Sequence, residues 1–121
     1  MHSIRIEHAN QWIESWATNG RRFFNCNGNI DYLYQNYRYG QLFFHNQWNG
    51  KHIYINRLGI WRGFHHGGTL KSIVWFLSKW IRNKTDKHII ASNLRYNNIT
   101  GYDNDIEYVI KEGIYLGIVS E

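Results

Sequence analysis

Residues 41–57, QLFFHNQWNGKHIYINR, carry two alternating runs on either side of Asn49-Gly50. Asn-Gly supplies the positive φ angles of a type I′ turn, so the runs read as a hairpin of strands 41–48 and 51–57. A two-residue turn pairs Trp48 with Lys51, Asn46 with Ile53, Phe44 with Ile55 and Leu42 with Arg57. One face then holds Leu42, Phe44, Ile53 and Ile55, an apolar set that belongs against a core. The other face holds Phe43, His45, Gln47, His52, Tyr54 and Asn56. Those rings make a stacking platform if the face is open, and core if a helix covers it.

Working outward, residues 21–66 read as β. A strand is expected at 22–26, followed by the turn signal Asn27-Gly28, and a second at 30–39. After Leu58-Gly59, a further strand is expected at 60–65. Thr69 then caps a helix over 70–83, where Leu70, Ile73, Val74, Leu77, Trp80 and Ile81 recur at helical spacing. A short strand at 88–91 is expected to return to the sheet. A last helix covers 104–116, with Ile106, Val109, Ile110 and Ile114 as its apolar stripe and Gly117 as its stop. Asp103 or Asn104 supplies its N-cap, and Asp105 and Glu107 fall in its first turn, where negative charge suits the helix dipole. At the other end, Ile4 and Ile6 alternate with polar residues as a short strand. A helix over 8–18 follows, with Trp12, Ile13, Trp16 and Ala17 on one stripe and Asn19-Gly20 as its stop. The whole is an α+β fold: an antiparallel sheet of about four to five strands (21–66 plus 88–91) packed by three helices. The 121 residues fit one domain.

Aromatic residues make up 17% of the chain, with six Trp, nine Tyr and six Phe, enough ring surface to build a core from few residues. The single cysteine, Cys26, excludes an intramolecular disulfide framework and a cysteine-based zinc site, and reads as a small buried apolar residue. The N-terminal twenty residues lack the apolar run of a signal peptide, and lysines and serines interrupt the most apolar stretch, 70–81. A cytoplasmic protein with no membrane partner is expected.

The net charge of +5 is unevenly spread. Residues 21–95 hold twelve Lys and Arg against Asp31 and Asp86, a local charge of +10. Residues 1–20 carry −1 and residues 96–121 carry −4. A basic body favours an anionic partner, either nucleic acid or an acidic protein face; simple solubility accounts for the same charge.

No catalytic residue stands out. No serine sits in a G-x-S-x-G elbow, and Asp31 is the lone acid of the β body. A small hydrolase or transferase using His65 or His66 is the remaining enzymatic reading. His65 and His66 are adjacent, so on a strand they point to opposite faces and do not share a metal ion. No metal or other cofactor is expected. Gly67, Gly68, Thr69 and Lys71 enter a helix N-terminus, where free amides attract an anion such as phosphate. A tight turn with a Thr cap explains the same residues. Cations and rings interleave at Arg21-Arg22-Phe23-Phe24, Tyr37-Arg38-Tyr39, Trp48 with Lys51, and Trp61-Arg62. Nucleic-acid binding uses this mixture, cations for phosphate and rings for bases; protein hot spots use it too.

The run Gly67-Gly68-Thr69-Leu70-Lys71-Ser72-Ile73, continuing to Trp80-Ile81-Arg82, is similar to a strand-turn-helix of small phage and prophage proteins. The closing run Tyr102-Asp103-x-Asp105-Ile106, with Val109, Gly113 and Leu116-Gly117, resembles them also. The resemblance implies a non-enzymatic accessory protein that binds a host protein or nucleoprotein complex, a class that includes anti-CRISPR inhibitors. Its basic body excludes DNA mimicry by an acidic surface. Arg21, Arg22, Tyr37, Arg38, Tyr39, Trp48, Lys51, Trp61 and Arg62 are the expected contacts, on a monomer or homodimer. The alternative is sequence-independent binding of DNA or RNA by the same surface.

Overall fold

The computed structural model describes residues 3–19, 23–64, 68–82, 89–96 and 103–121. They form four helices and seven short strands, five of the strands in succession after the first helix. Helix α1 (Ser3–Asn19) starts earlier than the alternation of Ile4 and Ile6 implied. Ile6 is buried and Ile4 exposed. Ile6, Ala9 and Ile13 share one helical stripe, and two alternating residues are too few to separate a period of 2 from one of 3.6. Trp12, Ile13, Trp16 and Ala17 are all fully buried, as the stripe predicted.

Strands β1 (Asn25–Cys26) and β2 (Asn29–Ile30) form a small hairpin around Asn27-Gly28, both at positive φ. Cys26 on this hairpin is half-buried rather than buried. Strand β3 (Tyr32–Gln35) ends where Asn36 Oδ1 accepts the Arg38 and Tyr39 amides. The expected strand over 30–39 is thus two strands and a turn. Strands β4 (Leu42–Asn46) and β5 (Lys51–Tyr54) complete a three-stranded antiparallel sheet in the order β3-β4-β5.

The register differs from the two-residue-turn expectation. Asn46 pairs with Lys51, Phe44 with Ile53 and Phe43 with Tyr54, so residues 47–50 form the turn. Asp31 decides this: its buried carboxylate accepts the Gln47 amide at 2.7 Å and holds the chain in a wider turn. The slip is two residues, so every side chain keeps its face. Leu42, Phe44, Ile53 and Ile55 are buried as expected.

The inner face of this sheet packs on α1. Asn10 of α1 accepts the Leu33 amide at 2.7 Å and donates to the Leu33 carbonyl at 2.8 Å, satisfying the outer edge of β3. No strand forms at 60–64; residues 65 and 66 lie outside the described residues. The Asn56 side chain bonds the Leu58 and Ile60 amides and the Ile60 carbonyl, groups a strand would need for pairing. Helix α2 (Gly68–Arg82) buries Ile73, Val74, Leu77, Trp80 and Ile81. Thr69 lies inside this helix rather than capping it. Arg5 of α1 donates to the Trp80 carbonyl and stands 4.8 Å over its ring, tying α1 to α2.

Strand β6 (Ile89–Ile90) does not return to the main sheet. Past α3 (Ala91–Tyr96) and α4 (Asp103–Tyr115), the chain brings β7 (Val119–Ser120) alongside β6 in parallel. The strands therefore fall into three small sheets within the α+β fold. Gly117, at φ +79°, ends α4: its amide reaches the Ile114 carbonyl and the Ile118 amide reaches the Gly113 carbonyl. The buried face of α4 holds Ile106, Val109, Ile110 and Gly113, whereas Ile114 is 37% exposed. Gly113 takes the place expected of Ile114 because β7 and α1 approach too closely for a side chain. A Cβ there would lie 2.4 Å from Val119 and 2.8 Å from the Trp12 indole nitrogen.

Candidate functional site

The outer face of the β3-β4-β5 sheet is built by alternation. Inward residues Leu33, Phe44 and Ile53 form one row across the strands, and they enter the core. Outward residues form two rows. Tyr32, His45 and His52 lie opposite one another in the first, and Tyr34, Phe43 and Tyr54 in the second. Strand spacings make this array about 10 Å by 7 Å. Every position is half-buried or exposed, with Tyr54 at 42%.

The rings brace one another. His45 and His52 stack at 4.2 Å with planes 5° apart. Tyr34 stacks on Phe43 at 5.6 Å and 17°, and Phe43 meets Tyr54 at 5.6 Å. The Tyr34 hydroxyl lies 2.7 Å from His52 Nδ1, linking the two rows. Burial, then the neighbouring Tyr32, raises the Tyr34 pKa, so this phenol stays protonated. Burial first and His52 second lower the His45 pKa, so His45 is uncharged at neutral pH. The ordering cost of these rings is thus met within the fold, and the stacked His45 and His52 rings cover each other's faces and offer their edges.

Cations border one side of the array. Lys51 is not among them: it has the parity of Ile53, and its side chain runs beside Gly63 on the inner side of the sheet. Next to Tyr54, Arg57 and Arg82 stand close enough that burial, then Arg57, lowers the Arg82 pKa. Arg82 donates to the Ile55 carbonyl, which fixes its position. A recess of about 250 Å³ lies between Arg57, Arg82, Tyr54 and Gln35. No Asp or Glu occurs from residue 32 to residue 85. Two acids of the C-terminal segment, Glu107 and Glu121, face Arg95 at 2.6 and 3.5 Å.

The expected contact residues do not form one surface. Tyr37, Arg38 and Tyr39 share the β3-β4 turn, with Arg38 5.3 Å over the Tyr39 ring. Trp48 and Lys51 lie at the opposite end of β4, and Arg62 is exposed in the loop beyond β5. Trp61 is a correction: at 7% exposure it packs on Phe64 and Trp75 and belongs to the core. Its indole donates to the Asn56 carbonyl, which turned it inward when the expected strand failed to form. Arg21, Arg22, His65, His66 and Gly67 lie outside the described residues. Gly68 and Thr69 are exposed at the start of α2, and Lys71 stands 5.6 Å over the Trp61 ring. None of the six rings was among the expected contacts; Phe43, His45, His52 and Tyr54 were grouped as a platform or core face, and Tyr32 and Tyr34 were not grouped with them. The spacing of two between these tyrosines was the signal, hidden because 30–39 was read as one long strand.

The fold and site define a small α+β protein that presents an open six-ring sheet face bordered by cations. Among the described residues, no helix is long and apolar enough to cross a membrane. The chain belongs to the YoqU family, whose model matches residues 2–119. The family name points to a phage or prophage protein, in line with the resemblance of the α2 and α4 segments. No curated protein and no solved structure matches the chain.

Proposed function

We propose that this protein binds single-stranded nucleic acid, largely without regard to sequence, on the outer face of the β3-β4-β5 sheet. The observation that carries the reading is the array of Tyr32, Tyr34, Phe43, His45, His52 and Tyr54, open to solvent and bordered at Tyr54 by Arg57 and Arg82. Bases of any identity offer a π-face to such rings, and the cations meet the phosphates. A duplex hides its base faces, so single strands are preferred. Fluorescence anisotropy with labelled single-stranded DNA, RNA and duplex of equal length tests this. Each lost stack costs about 1–3 kcal/mol, so Tyr34→Ala with Phe43→Ala weakens single-strand binding by roughly tenfold or more. Equal affinity for duplex and single strand, or an unchanged double variant, overturns the reading.

A second reading follows from Tyr37, Arg38, Tyr39 and Trp48, which protrude at the two ends of β4 and are residue types that dominate protein interfaces. On it, the protein docks on an acidic face of a host defence complex, in the manner of an anti-CRISPR inhibitor. Tyr37→Ala with Trp48→Ala would then abolish recovery of a host complex, while nucleic-acid affinity is unchanged.

A further inference from the structure

We infer that a second surface, on the inner-face side of the sheet, seats the protein on an anionic lipid bilayer. Its tip is the loop after β5. Leu58 and Ile60 protrude there at 79% and 66% exposure. The tip is rigid. Asn56 Oδ1 accepts the Leu58 amide at 2.9 Å and the Ile60 amide at 3.3 Å, and the Trp61 indole donates to the Asn56 carbonyl at 3.1 Å. Between the two aliphatic residues, Gly59 sits at φ +78° against α2, where a Cβ would lie 1.8 Å from the Trp75 ring. The fold therefore holds two large aliphatic side chains outward.

The surroundings supply the charge. Trp61 and Trp75 meet at 5.5 Å beneath the tip. Lys71 stands 5.6 Å over the first ring and Lys79 5.0 Å over the second. Arg57 and Arg62 flank the tip in sequence, and no Asp or Glu occurs from residue 55 to residue 82. Amphipathic indoles below aliphatic residues, ringed by cations, match the order of an acyl boundary beneath anionic headgroups. Protein hot spots favour Trp, Tyr and Arg over exposed Leu, and a protruding tip needs no complementary pocket in a bilayer. The expectation of no membrane partner rested on the lack of a spanning segment, which does not bear on contact with the bilayer surface. Phe64 and Trp61 pack beneath Phe44, so this surface lies across the sheet from the ring array.

Vesicle flotation at low salt tests the inference. The full chain is expected to float with vesicles of mixed phosphatidylcholine and phosphatidylglycerol and to remain behind with phosphatidylcholine alone. Leu58→Ser with Ile60→Ser lowers partitioning by roughly tenfold or more, since two aliphatic insertions are lost. Lys71→Gln with Lys79→Gln lowers it by a similar factor, and keeps the test valid if the first pair folds poorly. Tyr34→Ala with Phe43→Ala leaves flotation unchanged, which separates this surface from the nucleic-acid reading. Failure to float with anionic vesicles, flotation indifferent to Leu58 and Ile60, or flotation lost with Tyr34 and Phe43 overturns it.

Discussion

Asp31 is a buried carboxylate that the fold uses as a backbone acceptor. Desolvation raises its pKa from 3.8 to about 6, against the pull of the Gln47 amide. The folded chain therefore holds this proton more tightly than the unfolded chain. On this account stability is full below pH 3.8 and is lost as pH rises through about 6. Asp31→Asn keeps an acceptor for Gln47 and removes the charge. It is expected to stabilise the protein at pH 7 by about 1–2 kcal/mol and to flatten the profile of melting temperature against pH. Parallel wild-type and variant profiles would show that Asp31 is not the group responsible. No pattern in the sequence marked this role; the residue before β3 became an acceptor because β1 and β2 fold it inward.

At the scale of elements, helix faces and strand parity were legible, and junctions were not. The stripe of α2 was read correctly because fifteen residues cover four turns of one period. The stripe of α4 was read correctly up to Ile110, and then the approach of β7 and α1 replaced Ile114 with Gly113. Gly113→Ala tests that packing. A methyl group there would meet Val119 and the Trp12 indole, which donates to the Val109 carbonyl at 2.9 Å. Alanine gains about 1 kcal/mol of helix propensity over glycine, yet overpacking costs more. A net loss of about 1–2 kcal/mol in urea unfolding is expected. A stabilised variant would show that α1 and α4 are able to separate without cost. The β6-β7 pair was illegible for another reason: a two-residue strand has no period, and only its distant partner defines it.

For the whole molecule, the distribution of charge matters more than its total. Arg57 and Arg82 lie beside the ring array, so nucleic-acid affinity is expected to fall with salt. With Arg57 and Arg82 each meeting one phosphate, log K falls with log salt at a slope of about −1.4 for a single strand. Arg57→Gln is expected to reduce that slope to about −0.7 while leaving base preference unchanged. A slope near zero in the wild type would remove the phosphate contacts from the site. The hairpin pattern grouped four of the six rings, Phe43, His45, His52 and Tyr54, on one face, but none of the six was among the expected contacts. Whether that face was open or covered is a property of the other elements, which pack on the opposite side.

The sequence by itself determined the α+β class, the four apolar residues that the central hairpin buries, the inward stripes of α1 and α2, and the basic body with its acidic C-terminal segment. These are local periods and sums, and they survive a register slip of two. Tertiary structure alone decided that the outer sheet face is open, that Tyr32 and Tyr34 join it, that Trp61 turns inward, and that Leu58 and Ile60 protrude. Each of those depends on a contact between residues far apart in the chain or on a side chain capturing backbone amides: Asp31 with Gln47, Asn10 with Leu33, Asn56 with its own loop, and Gly59 against Trp75. Such contacts leave no periodic trace, because their energy appears only when the elements meet.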